Sequence, residues 1–287
     1  GRTDLHLPIT SPQDGSNSIF TNTRTFYGAA QDMLAKMKEI ASGDLGGTPE
    51  DYDISNERVH QIADESVGMT FGQVAARALE LGGKYTGSSD LPEELAEWTQ
   101  ISVSRLAGTA FMGVFHDPRH EGNPPGFTVS CIEIELDTET GKYEILDLIN
   151  VADSGTIMHP KGMENQLVGG AVWGIGLSGY ERHLYDPQNG MPASTGYWQS
   201  KVPTFLDTPV KIQTGWVDLP DPENPVGARG VGEPAQGSVS AALTAAISDA
   251  LGGHIFGASP ITADMIINHV AGTSEDSKLL AQNNFRG

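Results

Sequence analysis

The sequence predicts an α+β fold, with strand hairpins followed by separate helices. Three observations predict it. Two alternating runs, Phe127 to Leu136 and Tyr143 to Val151, are joined by Asp137-Thr138-Glu139-Thr140-Gly141-Lys142 and read as an antiparallel hairpin. Apolar residues recur at three- and four-residue spacing from Phe26 to Ile40, and a pair of helices over Ser238 to Leu251 and Ile261 to Val270 closes the chain. The 287 residues are 38% hydrophobic, enough for a sizeable core, while 35 Gly and 17 Pro make the connections rich in turns.

Taken in order, Leu5-His6-Leu7 alternates like the end of a strand, and Pro8 to Thr25 is a loop dense in Ser, Thr, Asn, Gly and Pro. The first helix follows, carried by Ala29, Ala30, Met33, Leu34, Met37 and Ile40. Short strands are expected near Tyr52 to Ile54 and Arg58 to Ile62. Thr70-Phe71-Gly72-Gln73 is a capping box that opens a helix with Val74, Ala75, Ala78, Leu79 and Leu81 on its apolar side, stopped by Gly82-Gly83. Ile101 to His116 reads as a long strand before the hairpin. Pro160 suits the first turn of a helix that runs to Gly176 and contains Gly169, Gly170, Gly174 and Gly176. Each such glycine costs roughly 1 kcal/mol relative to Ala, so the missing side chains make room for a close backbone or a ligand. Strands near Gly179 to Tyr185 and Val210 to Val217 precede a long loop, Asp218 to Gln236. The chain is read as one folded unit over residues 1–271 with a polar tail over 272–287.

Composition excludes several classes of function. Lys and Arg total 17 against 37 Asp and Glu, a formal charge of −20, and such a surface repels nucleic acid and anionic membranes. Cys131 is the lone cysteine, so the chain cannot form an internal disulfide or cradle an iron–sulfur cluster. It is read as a buried, inert thiol inside an alternating strand. The sequence has no long apolar run and its opening residues have no leader character, which together with the unpaired cysteine points to a cytoplasmic chain. His116 and His120 lie beside Pro118 and Gly122 without a third ligand at a recognisable spacing and read as surface residues.

Three stretches have the makings of a site. Gly227 to Ser238 is a flexible, nearly apolar turn that delivers one carboxylate, Glu233, directly into a helix start, fixed by Pro234. The plainer reading is a helix start whose Glu complements the helix dipole. Its glycines are not a dinucleotide fingerprint, because the third glycine and a preceding buried strand are missing. Asp14 to Arg24 offers hydroxyls, amides and backbone N–H groups to a phosphate or polar heterocycle, with Arg24 as counter-charge; helix capping by Thr23 or Thr25 is the alternative. Gly162-Met163-Glu164-Asn165-Gln166 presents amides that suit a pterin-like edge.

In sequence order, the Ser/Thr/Asn loop, the hairpin ending in Val151-Ala152-Asp153-Ser154-Gly155, Gln166-Leu167-Val168-Gly169-Gly170 with Gly174-Ile175-Gly176, and Gly230-Val231-Gly232-Glu233-Pro234 resemble one family. It is the xanthine oxidase family of molybdenum hydroxylases, and the likeness covers the C-terminal half of the molybdopterin-binding subunit over residues 5–272. The resemblance implies mixed and antiparallel sheets packed by helices, with long loops that embrace the cofactor. It implies Glu233 as general base beside a molybdenum held by the pterin dithiolene, with no protein ligand to the metal. It implies Ser18, Ile19, Phe20, Thr21, Asn22 and Thr23 at the pterin and phosphate end. Asn165 and Gln166 would hydrogen-bond the cofactor, and Arg229, Gly230, Val231 and Gly232 would lie against the metal site.

The resemblance further implies that water supplies the oxygen placed on an electron-poor carbon of an N-heterocycle or an aldehyde. Carbon monoxide oxidation and reductive removal of an aromatic hydroxyl are alternatives within the family, and a metal-free structural or assembly subunit is the alternative outside it. The cofactor would be molybdopterin, with the cytosine dinucleotide form among its options. Partners would be a chain carrying the N-terminal half of the subunit, an Fe-S subunit, and a further subunit where FAD is used.

Overall fold

The computed structural model describes residues 15–16, 18–82 and 126–273. They divide into two compact units: the first holds residues 18–82 and 223–226, the second residues 15–16, 126–222 and 227–273. The expected strand at Leu5-His6-Leu7, the long strand Ile101 to His116 and the histidines 116 and 120 lie outside the described residues.

The first unit opens with α1 (Ser18–Leu45), eight residues earlier than the apolar spacing predicts. Ser18 to Thr23 are therefore helical, where a loop was expected. Of the polar side chains that suggest a loop, Thr23 is taken up by the helix itself and by residues 223–226. Thr23 Oγ1 donates to the carbonyl of Ile19 one turn back at 2.6 Å, and Asn224 donates to the carbonyl of Phe20 at 3.0 Å and to Thr23 Oγ1 at 2.8 Å. Phe20 is buried, and Arg24 lies over its ring and donates to the carbonyl of Glu223. Arg24 is thus engaged inside its own unit, and Thr23 and Thr25 lie within the helix instead of capping it.

An antiparallel sheet follows, β1 (Tyr52–Ser55), β2 (Arg58–Gln61) and β3 (Gly68–Thr70), the first two where the sequence places them. The predicted capping box opens α2 (Phe71–Leu81): the Gln73 N–H donates to Thr70 Oγ1 at 3.2 Å and Gln73 Oε1 accepts from the Thr70 N–H at 2.8 Å. Val74 turns inward to Ile40, Ala41, Tyr52 and Val59, whereas Leu79 points outward.

The second unit is built on β4 (Phe127–Leu136), β5 (Tyr143–Asp153) and β6 (Ile212–Val217), in that order across the sheet. β4 and β5 form the predicted hairpin, and β6 joins β5 in parallel, so the sheet is mixed. Ile132, Leu148 and Ile212 stand in one row on the inner face. Pairing then passes from Glu133–Asp147 to Ile134–Ile145, which leaves Leu146 as the extra residue of a bulge. That one-residue slip keeps Tyr143 and Ile145 on the same face as Leu148 although their spacing in sequence is odd. Cys131 falls on the other face and is exposed, contrary to the buried thiol expected, because Ile132, Ile134 and Leu136 claim the inner parity.

Two helices cover the inner face, α3 (Pro160–Ile175) and α5 (Pro234–Ala250), with α4 (Tyr197–Ser200) a single turn between them in sequence and α6 (Ala263–Val270) at the end. Ala171 and Ile175 of α3 meet Val239, Leu243 and Ile247 of α5 and Leu148 of the sheet. The glycines of α3 are the reason the two helices approach so closely. A Cβ on Gly170 would stand 2.5 Å from that of Ala235, and one on Gly174 would stand 2.6 Å from the carbonyl oxygen of Gln236. The predicted strand at Gly179 to Tyr185 is instead the end of a π-helical turn, Gly176–Tyr180, followed by irregular chain in which Tyr185 makes a single antiparallel bridge to Pro192. Ser178 keeps the chain wound: its hydroxyl donates to the Gly174 carbonyl at 2.7 Å and its own carbonyl accepts from Ile261 N–H at 2.8 Å.

The neighbouring glycines of α3 give opposite expectations. A Cβ on Gly169 would meet nothing within 4 Å, so Gly169→Ala should stabilise the chain by up to about 1 kcal/mol through helix propensity. Gly170→Ala should destabilise it by about 1–3 kcal/mol, because Ala235 would have to give way. Denaturant midpoints of the two variants check this, and equal effects would refute the packing argument.

Candidate functional site

The site is assembled where β5 ends and α5 begins. Beyond Asp153 the chain is joined by the stretch after residue 226: Gly155 and Ala228 form an antiparallel bridge, the Arg229 N–H donates to the Ser154 carbonyl at 2.8 Å, and the Thr156 N–H donates to that of Gly227 at 2.7 Å. Gly227 is in the left-handed region at φ +73°, and a Cβ there would meet Thr156 Oγ1 at 2.5 Å. The Arg229 side chain is engaged at two of its nitrogens. Its Nε donates to Asp221, which is buried, and its Nη1 to Asp153 at 3.2 Å. The hydrogen bond to Asp221 holds the guanidinium above its ordinary pKa.

Gly230-Val231-Gly232 then carries the chain to Glu233. Val231 is the anchor: it packs on a buried cluster of Ala152, Met163, Leu167 and Ala235. The glycines on either side make room for Ser16. A Cβ on Gly230 would overlap the Ser16 carbonyl, and one on Gly232 would stand 2.5 Å from Ser16 Oγ and 3.2 Å from Gln166 Oε1. Gly15 and Ser16 form a turn with φ of +53° and +62°.

Glu233 is the last residue before α5, with φ −57° and ψ −38°, and Pro234 begins the helix. Its side chain makes no capping hydrogen bond to its own helix. Instead Oε2 accepts the Gly15 N–H at 2.6 Å, and the Glu233 N–H donates to Ser16 Oγ at 3.2 Å. Among the described residues Oε1 has no hydrogen-bond partner and no cation pairs with the carboxylate.

The first turn of α5 is held to the sheet by polar side chains. Asn150, fully buried on β5, donates to the carbonyls of Leu167 on α3 and Ala235 on α5 at 3.0 and 3.3 Å. Its Oδ1 accepts from Ser130 Oγ at 3.0 Å, and Ser130 Oγ is 2.7 Å from Ser238 Oγ. Thr128 Oγ1 donates to the Pro234 carbonyl at 2.9 Å. Asn150 is therefore satisfied on both ends of its amide while tying three elements together.

The structure gathers Gln166, Gly230, Val231, Gly232 and Glu233 about Ser16. Asn165 and Gln166 are both exposed on α3. Ser18, Ile19, Phe20, Thr21, Asn22 and Thr23 lie in the first unit on the opening turns of α1, where Asn22 Oδ1 and Thr25 Oγ1 are buried without a partner among the described residues. In the second unit Gln236 Oε1, three residues after Glu233, is likewise buried and without a partner. Asn150 escapes sequence reading altogether, while Ser16 and Gln236 lie in the marked stretches Asp14 to Arg24 and Gly227 to Ser238 without a role of their own being assigned. Ser16 sits in a stretch already marked by its hydroxyls, and a Gly-Ser pair before a helix is the available signal. Asn150 looks like any polar residue in an alternating strand.

Residues 1–209 match the family described as molybdopterin cofactor-binding domain. The chain is 31% identical over 150 residues to the 6-hydroxypseudooxynicotine dehydrogenase complex subunit gamma of Paenarthrobacter nicotinovorans, covering 52% of this chain and 19% of that protein. It is 25% identical over 266 residues to the aldehyde oxidoreductase molybdenum-binding subunit PaoC of Escherichia coli K12, covering 92% and 31%. Among solved structures, quinoline 2-oxidoreductase from Pseudomonas putida 86 superposes with a TM-score of 0.71 at 25% identity, over 89% of this chain and 30% of that one. The chain thus spans less than a third of the length of each. No helix among the described residues is long and apolar enough to cross a membrane.

Asn150→Asp should be more disruptive than Asn150→Leu, since it removes both donors and sets a carboxylate against two carbonyl oxygens. The expected costs are about 3 kcal/mol or more for Asp at neutral pH and about 1–3 kcal/mol for Leu. The order should be read from unfolding midpoints, and a Leu variant less stable than the Asp variant would contradict the assigned hydrogen bonds.

Proposed function

The chain belongs to the molybdopterin cofactor-binding domain family, of the xanthine oxidase type, and from that premise we propose that it is the C-terminal part of the molybdenum-binding subunit of a multi-subunit hydroxylase. The proposed reaction is oxidation of an electron-poor carbon, in an aromatic N-heterocycle or an aldehyde, with water as the oxygen source. The names of its relatives and structural neighbour, which include an aldehyde oxidoreductase and a quinoline oxidoreductase, support that substrate class. Residues 1–271 are assigned to the cofactor-binding region, with residues 272–287 as a tail.

The observation that carries the reading is the state of Glu233. One carboxylate oxygen is fixed by the Gly15 N–H and the other has no partner among the described residues. A carboxylate held in that way is oriented by one oxygen and open to a proton at the other, Oε1, as a general base must be. Arg229, four residues earlier, is kept from neutralising it by Asp221 and Asp153.

The residues present suit a pterin. Asn165 and Gln166 present exposed amides, each with donor and acceptor capacity, and the buried Gln236 Oε1 is an acceptor awaiting a donor. Gln166, with its Oε1 beside Gly232, is assigned to hold the cofactor, together with Asn165. When bound, molybdopterin would supply a two-electron redox centre whose metal needs no protein ligand. Cys131 alone cannot hold an iron–sulfur cluster, so Fe-S clusters, and FAD where it is used, are assigned to partner subunits. The pterin is assigned without commitment between its simple and cytosine dinucleotide forms.

Elemental analysis of the natively purified complex should find about one molybdenum per copy of this chain, as a single pterin site requires. Glu233→Gln should keep that molybdenum and lose at least about 100-fold in turnover. Wild-type turnover in this variant would remove Glu233 from the mechanism, and a complex without molybdenum would favour the structural-subunit alternative. Gln166→Ala should lower molybdenum occupancy, and unchanged occupancy would remove its role in holding the cofactor.

A further inference from the structure

We propose that Ser16 is the positioning residue for Glu233, and that Gly232 is glycine in order to admit the Ser16 side chain. The proposal rests on the reading of Glu233 as proton acceptor and adds the element that aims it. Three contacts lead to it. The Gly15 N–H holds Oε2 of the carboxylate at 2.6 Å, so the turn fixes the side chain. Ser16 Oγ accepts the Glu233 N–H at 3.2 Å, so the same turn fixes the backbone. A Cβ on Gly232 would stand 2.5 Å from Ser16 Oγ and 3.6 Å from its Cβ.

The backbone contact matters because Glu233 lies at a helix start, where N–H groups have no partner within the helix. Its N–H would otherwise turn to water, and the residue would lose one of its two fixed points. With both in place, the carboxylate is held through its own peptide and through Oε2, and rotation about the side-chain torsions that would swing Oε1 away is restrained. Ser16 is held in turn by its surroundings: its carbonyl lies where a Cβ of Gly230 would be, so the turn cannot shift without moving the glycine stretch.

Ser16 also sits at φ +62°, a conformation that glycine adopts freely and serine does not. That allows a test in which stability and function move in opposite directions. Ser16→Gly deletes the hydroxyl but suits the backbone. If Ser16 only shaped the turn, the variant would melt at or above the wild-type temperature and work normally. If Ser16 positions Glu233, it should melt at or above the wild-type temperature and yet lose about 5–10-fold in kcat, as expected when a base loses part of its alignment, with KM and molybdenum content unchanged.

The steric half of the proposal is read without turnover. Gly232→Ala should lower the melting temperature, and adding Ser16→Gly should recover at least about half of that loss, since directly contacting sites are non-additive. Gly230→Ala should be rescued much less by Ser16→Gly, because its severest clash is with the Ser16 carbonyl, which remains, and only the lesser one is with Ser16 Cβ, at 2.9 Å. The experiment uses the natively purified complex, with quinoline and benzaldehyde as substrates and a dye as electron acceptor, and includes Glu233→Gln as reference. Full kcat in Ser16→Gly while Glu233→Gln is inactive would overturn the positioning role and leave the base assignment standing. Full turnover in Glu233→Gln would overturn both. Additive melting shifts for Ser16→Gly and Gly232→Ala would overturn the steric link.

Discussion

The geometry of the site depends on one buried amide. Asn150 projects from the central strand of the mixed sheet into the seam between α3 and α5 and donates to a carbonyl on each. Burying an amide is costly unless its hydrogen bonds are made, and here the acceptor end is satisfied by Ser130 as well. The requirement runs in both directions. The two helices must be placed so that Leu167 and Ala235 present their carbonyls to Asn150, and Ala235 is two residues beyond Glu233. A sheet residue thereby sets where the carboxylate emerges, and Thr128 on the neighbouring strand repeats the hold at Pro234.

Close approach is the second constraint, and it explains why glycine recurs in two stretches far apart in sequence. On α3, Gly170 and Gly174 let α5 come near enough for Asn150 to reach both helices. Before α5, Gly230 and Gly232 admit the Ser16 turn on both sides of Val231, whose side chain is packed on Met163 and Leu167. In both places the loss of helix propensity or of a side chain is offset by contacts that no larger residue allows. The Gly-Val-Gly-Glu-Pro stretch is in these terms a packed strap with an apolar pin in its centre, not a flexible loop.

Much of this was legible in the sequence because local signals and tertiary structure agree. The capping box at Thr70 and Gln73, the hairpin of β4 and β5 and the proline start of α3 each follow from chemistry within a few residues, whereas α5 begins at Pro234, four residues before the expected Ser238 and inside the expected loop. The glycines of α3 were readable as a demand for space, although not for which neighbour. Failures arise where distant residues decide. Ser18 to Thr23 look like a loop until Asn224, some two hundred residues away, takes up Phe20 and Thr23. Gly179 to Tyr185 looks like a strand until Ile261 captures the Ser178 carbonyl. The inner parity of β4 sends Cys131 outward, a matter settled by which side the helices cover.

Electrostatics at the site follow from how a strongly acidic chain deploys one arginine. The protein has 37 acidic and 17 basic side chains, and Arg229 lies four residues before Glu233. Were that guanidinium to reach the carboxylate, it would stabilise the ionised form and weaken it as a proton acceptor. The fold prevents this by giving Arg229 two other carboxylates: Asp221, which is buried and whose charge would be costly without a partner, and Asp153 at the end of β5. The pairing joins β5 to the segment that leads into the strap, so the contact that neutralises Asp221 also fixes the path to Glu233. Among the described residues Glu233 has neutral partners alone, the N–H of Gly15 donating to its carboxylate and the hydroxyl of Ser16 accepting from its peptide. A backbone N–H fixes the direction of a carboxylate without the long, mobile side chain that an ion pair needs, so the position of Glu233 is set by the turn and the strap themselves.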